Sequence, residues 1–96
     1  MKDMINTQIT LDRKLKKKLY SNGQLAIFVH NYKDEPLAEI SIMNNSVELA
    51  PDEFILKDYS ENRNLAQEFF ELELIIPTDR FILIGSHLCL ICRINS

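Results

Sequence analysis

The sequence predicts an α+β fold in which an antiparallel sheet of roughly four to six strands packs on one face against one main helix, at about residues 62–74. Three observations support this. Short apolar runs alternate with turn signals, as in antiparallel strands. One segment has helical periodicity. The 96 residues suit a single domain, residues 1–96, and 46% of them are hydrophobic, which is ordinary for a globular chain.

The start of the chain is the part whose structure the pattern leaves open. Residues 1–7 have no strong periodicity, and we expect them to be loosely ordered. In residues 8–20, three leucines spaced four residues apart fit one face of a helix, whereas the alternation at the beginning of the segment fits a strand. The pattern therefore allows a helix, a strand, or one of each in this segment.

Two strands and a tight turn are predicted next. Asn22-Gly23 marks the turn, because both residues tolerate positive φ. Residues 25–30 carry apolar side chains on both faces, so we expect a central strand that is covered on both sides. Residues 37–43 alternate and are predicted to pair with it as an antiparallel hairpin. A short apolar run at 54–57 predicts a further strand.

The second half of the chain predicts a helix followed by two strands. Leu65, Phe69 and Leu72 give the helix an apolar face. Asn64, with Gln67 three residues later, fits a capping box, although Asn62 or Ser60 is also suitable as the cap. Pro77 is predicted to stop the helix. Strands are predicted at 80–84 and 88–94, with Gly85-Ser86 between them.

Charge is distributed unevenly along the chain, although the net charge is only −3. Residues 1–18 contain six basic and two acidic residues, and residues 19–96 contain five basic and twelve acidic ones. An acidic body argues against a nucleic-acid binder that uses its whole surface. No secretory signal and no apolar run of membrane-spanning length is present, so we expect a cytoplasmic protein with no membrane partner.

The basic cluster in the N-terminal segment is the first candidate site. Its side chains can contact phosphates, and they can equally form a solvated face or a strand edge that resists aggregation. The candidate nucleic-acid contacts are Arg13, Lys14, Lys16, Lys17 and Lys18.

The sequence indicates no catalytic residues, no metal site and no cofactor. Cys89 and Cys92 have the spacing of a redox or zinc pair, but residues three apart on a strand point to opposite faces. Zinc would need two further ligands, for which the chain offers His30 and His87. We therefore expect two free thiols in a reducing compartment.

A polar stretch at the predicted junction between a strand and the helix is the second candidate site. Loops at such junctions often carry function, whereas the alternative role is helix capping with the tyrosine packed on the core. The candidate protein-contact residues are Lys57, Asp58, Tyr59, Ser60, Glu61 and Asn62.

Several segments between residues 20 and 94 carry a resemblance. The most distinctive is Leu49–Asn62, and the shorter ones are Tyr20–Gly23, Leu25–Ile27, Pro36–Ile42 and Ile76–Arg80. Together they resemble a family of short uncharacterised bacterial proteins found on plasmids, phages and other mobile elements. The family tends to have glycine where this chain has Glu73. The resemblance implies a mobile-element context, in which small acidic proteins often modulate host enzymes or defence systems.

The sequence thus favours a non-enzymatic protein-interaction module whose partner is a host or defence protein. Nucleic-acid binding through residues 13–18 is the alternative. An exposed sheet edge would also allow a homodimer, but the pattern does not identify the edge strand.

Overall fold

The computed structural model describes residues 13–59 and 62–95, with only the backbone of Arg13. Over these residues the chain forms seven strands and one helix. The expectations for residues 1–7 and for the beginning of the segment 8–20 concern residues outside this part. The elements in chain order are β1 (Arg13–Leu19), β2 (Leu25–Asn31), β3 (Pro36–Glu39), β4 (Ser41–Ile42), β5 (Glu53–Leu56), α1 (Arg63–Glu71), β6 (Ile75–Ile84) and β7 (His87–Ile94).

The strands form two antiparallel sheets, so the α+β class is confirmed but the expectation of a single sheet of four to six strands is wrong. The first sheet has the order β1-β2-β3, and the second has the order β4-β5-β7-β6. The division falls at Ile40, which separates β3 from β4. There the chain stops pairing with β2 and begins to pair with β5. The alternating pattern runs through residues 37–43 without interruption and therefore conceals the switch.

The segment with two possible structures forms a strand over its described part. Leu15 pairs with Val29 and packs on the core, whereas Leu19 pairs with Leu25 at the end of the strand and is 71% exposed. The predicted Asn-Gly turn joins β1 to β2, and Gly23 has a φ of 89°. The segment forms a strand rather than a helix because β2 supplies a ladder of backbone hydrogen bonds. The sequence of β1 alone does not reveal this partner.

Two core clusters lie on opposite faces of the second sheet. The larger one lies against the first sheet and α1, and it contains Ile27, Val29, Phe54, Ala66 and Phe69 among its buried residues. The smaller one is formed by Ile55, Cys89 and Ile91 and is covered by Val47, Leu49 and Tyr59. The helix thus packs on one face, as predicted.

The helix ends earlier than predicted, and Pro77 is not what stops it. Leu74 N–H donates to Phe69 O (2.9 Å) and Glu73 N–H donates to Phe70 O (3.0 Å). Glu73 has a φ of 59°. These features define a Schellman motif, in which the residue after the cap is left-handed and is usually glycine. Pro77 instead lies within β6, an edge strand that tolerates proline, next to a register shift.

Replacement of Glu73 by glycine is therefore expected to stabilise the fold. Glycine occupies the left-handed region without the steric cost that a Cβ carries, so we expect a gain of about 0.5–1 kcal/mol in the free energy of unfolding. Urea denaturation measures the difference. The matched control is Gln67→Gly on the exposed side of α1, which should lose roughly 1 kcal/mol. A loss of stability in Glu73→Gly would contradict the assigned helix end.

Tyr20 forms a polar link between the end of β1 and the junction of the two sheets. Its hydroxyl donates to the Glu39 carboxylate and lies 2.8 Å from Ser41 Oγ. Burial, reinforced by the nearby Glu39 carboxylate, raises the pKa of Tyr20 from 10.0 to about 12. Because the unfolded chain releases this proton first, the stability that Tyr20 contributes is present below pH 10 and is lost as the pH rises through about 12.

An alkaline titration followed by phenolate absorbance tests this link. The folded protein should show an ionisation step near pH 12 that is missing in Tyr20→Phe. The control variant Tyr32→Phe lacks a hydroxyl on an exposed turn residue and should keep the step. Circular dichroism at each pH establishes that the chain is still folded. If Tyr32→Phe lost the ionisation step near pH 12, or Tyr20→Phe kept it, the raised pKa would belong to a residue other than Tyr20.

Candidate functional site

A cleft lies between α1 and the beginning of β7, where two neighbouring strands separate. β5 lies between β4 and β7, pairs with β7 from Glu53 to Ile55, opposite Arg93 to Ile91, and ends at Leu56. In the described part of the chain, the first half of β7 therefore has a strand partner on its β6 side alone. The cleft has a volume of about 460 Å³ and is lined by Asp58, Tyr59, Arg63, Ala66, Gln67, Phe70, His87 and Leu88.

The helix beside the cleft is much shorter than β7. The nine residues of α1 span about 13.5 Å. The eight residues of β7 span about 26 Å. Ala66 and Phe69 of the helix belong to the same core cluster as Cys92, whereas Leu88 at the other end of β7 is exposed, although the strand's apolar pattern continues.

Exposed apolar side chains extend from the cleft onto the hairpin of β6 and β7. Leu88 pairs with Leu83, and Phe81 pairs with Leu90, so these residues share one face. The exposed fractions are 62% for Leu88, 67% for Leu83 and 57% for Phe81. Apolar side chains that are exposed next to one another often mark a site of interaction. We call these three residues the hairpin patch.

The backbone of Leu88 also faces the cleft. A two-residue turn, Gly85-Ser86, joins the strands, so Ile84 and His87 next to it form a hydrogen-bonded pair. Because the pairs alternate, the N–H and C=O of Leu88 point away from β6. A main-chain donor and acceptor are thus placed beside an exposed leucine side chain.

One wall of the cleft is a stacked pair of rings. The Tyr59 and His87 ring centroids lie 3.9 Å apart with an interplanar angle of 1°. Lys57 Nζ lies 5.9 Å from the centre of the Tyr59 ring on this wall. Tyr59 also packs against the smaller core cluster, so the wall is anchored to the sheet. Asp58 and Arg63 add one charge of each sign to the lining.

The predicted contact segment 57–62 is divided by the structure. Asp58 and Tyr59 line the cleft, whereas Ser60 and Glu61 lie outside the described residues. Lys57 N–H donates to Ile40 O (2.8 Å), which fixes the start of the loop. Asn62 is buried, and its side chain donates to Glu39 O (2.9 Å). Asn62 therefore has a structural role, and the contact role of the segment stays a prediction that centres on Asp58 and Tyr59.

Of the helix caps that the sequence left open, Asn62 occupies the cap position. The capping box that begins at Asn64 is wrong, because α1 begins at Arg63. The Asn62 side chain makes no hydrogen bond to the helix, since it is committed to Glu39 O. A contact distant in sequence has thus replaced the local one that the pattern predicted.

The five predicted basic residues lie on β1, in the first sheet. Arg13 contributes its backbone position alone, because its side chain lies outside the described part. Lys14, Lys16 and Lys18 share the face that points away from the core, and Lys17 lies on the opposite face. The sequence cluster is therefore divided between two surfaces.

The two cysteines lie on opposite faces of β7, as expected for residues three apart on a strand. Cys89 belongs to the smaller core cluster and Cys92 to the larger one, and both thiols are free. Burial raises the pKa of Cys89, and it raises the pKa of Cys92 to about 12, with a smaller contribution in each case from the charge of Asp58. Both side chains therefore act as small apolar core residues at neutral pH.

Sequence reasoning missed the hairpin patch. Leu88, Leu83 and Phe81 lie in runs that are apolar on both faces, which predicts that both faces are covered. The available signal was the short length of the helical segment relative to these strands. Among the described residues, no group of three or more His, Cys, Asp or Glu side chains is placed to hold a metal ion. No helix in this part of the chain is long and apolar enough to cross a membrane.

Comparisons with protein families, with curated proteins and with solved structures found no match to this chain.

The role of Asn62 as a link to β3, rather than a helix cap, can be tested by substitution. Asn62→Ala removes the hydrogen bond to the part-buried Glu39 carbonyl, so we expect a loss of about 0.5–1.5 kcal/mol in the free energy of unfolding. Asn62→Asp should not recover this loss, because an ionised carboxylate caps helices well but has no N–H to donate. Urea denaturation provides the measurement.

The exposed Asn64→Ala variant is the control, and it should change stability by less than about 0.5 kcal/mol. If Asn62→Asp were as stable as the wild type, the side chain would be acting as a helix cap, and the link to β3 would be incidental.

Proposed function

We propose that this protein is a non-enzymatic interaction module that holds an extended segment of a protein partner in the cleft beside Leu88. The observation that carries the proposal is the exposure of the hairpin patch next to the open half of β7. An extended segment placed there can pair with the backbone of Leu88 as an added strand. Its apolar side chains can pack on Leu88 and on the half-buried Phe70 of α1.

The chemistry of the lining supports binding rather than catalysis. The His87 ring is stacked on Tyr59, and the Cys89 thiol lies 3.9 Å from the backbone oxygen of His87 rather than being paired with its ring. Asp58 and Arg63 supply one charge of each sign at the mouth, which can orient a polar partner segment. The apolar area of the hairpin patch supplies the driving force for association.

The class of partner that we propose rests on the family resemblance alone. We propose a host enzyme or a component of a defence system in the bacterial cytoplasm, which the protein modulates by occupying a surface. The resemblance in residues 49–62 supports this context, and that segment includes Asp58 and Tyr59 of the cleft wall.

Affinity purification from a bacterial host, compared between two charge variants, tests the proposal. Leu88→Glu places a carboxylate in the apolar centre of the surface and should weaken partner recovery by about tenfold or more. The matched control is Leu37→Glu on β3, where the leucine is 51% exposed but lies in the first sheet. Wild type and Leu37→Glu should recover the same protein after nuclease treatment and at moderate salt.

Equal recovery of the partner by both variants would show that the cleft takes no part in the interaction. Loss of the partner on nuclease treatment would show that it was held through nucleic acid. Sedimentation of the purified protein tests whether a second copy of the chain occupies the cleft. A dimer that dissociates in Leu88→Glu but not in Leu37→Glu would show that a second copy, rather than a different protein, fills the cleft.

A further inference from the structure

The outer face of the first sheet carries a row of three lysines. Lys14, Lys16 and Lys18 alternate along β1 and are opposite His30, Phe28 and Ala26 of β2. Residues that pair across neighbouring strands point to the same side. Successive lysines of the row are therefore about 6.8 Å apart along the strand. We call Lys14, Lys16, Lys18, Phe28 and His30 the outer face.

An aromatic ring lies among these lysines. Phe28 is half-buried, and Lys18 Nζ lies 5.4 Å from its ring centre. The sequence showed no aromatic residue within the basic cluster, because Phe28 comes from the neighbouring strand and is brought beside Lys16 by the register. Positive charge that follows a line, with a ring on which a base can stack, is the arrangement that proteins use to bind single-stranded nucleic acid.

Charge is segregated between the two sheets in a way that favours this face. Residues 13–39, which form the first sheet, contain six basic and three acidic side chains. Residues 40–96 contain four basic and nine acidic ones. The overall net charge of −3 therefore hides a basic sheet joined to an acidic one. A polyanion would be attracted to the first and repelled by the second.

Two carboxylates lie on this side of the first sheet: Glu39 is opposite Phe28 and accepts from the Tyr20 hydroxyl, and Asp34 contacts the row itself. Asp34 Oδ1 lies 3.2 Å from Lys16 Nζ and 3.2 Å from His30 Nδ1. Lys16 and His30 lower the pKa of Asp34, so the carboxylate stays ionised at neutral pH. A phosphate that approaches Lys16 must replace this carboxylate. Asp34 therefore weakens binding at the outer face, and its removal should strengthen it.

From these observations we propose that the outer face binds single-stranded nucleic acid, with phosphates at Lys14, Lys16 and Lys18 and one base stacked on Phe28. A single strand is favoured over a duplex because its bases are free to stack on the ring. This site is in a different sheet from the cleft and does not depend on the cleft's role.

Fluorescence anisotropy with labelled oligothymidine, oligouridine and a DNA duplex of equal length tests the proposal. We expect a single strand to bind, with a plot of log affinity against log salt that has a slope of about −2, because three neutralised phosphates each contribute roughly 0.7. Replacement of all three row lysines by glutamine should abolish measurable binding. Phe28→Leu should weaken it by about tenfold without changing the salt slope.

Two further variants distinguish binding at the outer face from a general effect of the protein's net charge. The control triple variant Lys17→Gln, Lys57→Gln and Arg93→Gln makes the same change in net charge away from the outer face and should keep most of the affinity. Asp34→Asn should raise the affinity severalfold. Equal losses in both triple variants, tighter binding of the duplex, or no binding by the wild type at low salt would each overturn the proposal.

Discussion

The structure depends on one residue at which the chain passes from one sheet to the other. Ile40 N–H donates to Ile27 O in the first sheet (3.0 Å), and Ile40 O accepts from Lys57 N–H at the end of β5 (2.8 Å). Its side chain is fully buried in the larger core cluster. Ser41 adds a third link, since its Oγ accepts from Ile27 N–H (2.8 Å). Backbone groups of a single segment thus hold both sheets together, and they would be costly to leave unpaired in the interior.

This junction also helps to position the candidate protein-binding cleft. β5 ends at Leu56, and the next residue, Lys57, donates its N–H to Ile40 O, so β5 pairs with β7 only from Glu53 to Ile55. The cap residue of α1, Asn62, is tied back to Glu39 O beside the junction. The open half of β7 and the start of the helix are therefore positioned by neighbouring contacts. The hairpin patch begins at Leu88, in this open half of β7.

The elements with local signals could be predicted, and those set by distant contacts could not. Asn22-Gly23 and Gly85-Ser86 specify their turns through backbone preferences, and the composition of residues 25–30 indicates a central strand, although its outer face is less covered than predicted. The strand switch at Ile40 has no local signal, because its partners Ile27 and Lys57 are distant in sequence. The helix end was misjudged because Glu73 occupies a position where glycine would have indicated the turn.

The candidate sites likewise combine features with a local sequence signal and features set by contacts distant in sequence. The cleft depends on where β5 stops pairing with β7, and that is determined by contacts between residues distant in sequence. The outer face depends on the register that brings Phe28 beside Lys16, so the sequence identified its lysines but not its ring. Asn62 was predicted as a helix cap or contact residue, and a backbone carbonyl of β3 instead determines its role.

Native-state amide hydrogen exchange at the junction tests most directly whether the two sheets form one cooperative unit. We predict that the amides of Ile40 and Lys57 exchange only through global unfolding, with the same opening free energy as Val29 in the first sheet and Ile55 in the second. If the junction amides instead exchanged at a lower free energy while either sheet stayed protected, the sheets would be separable. In that case the junction would not be what positions the cleft.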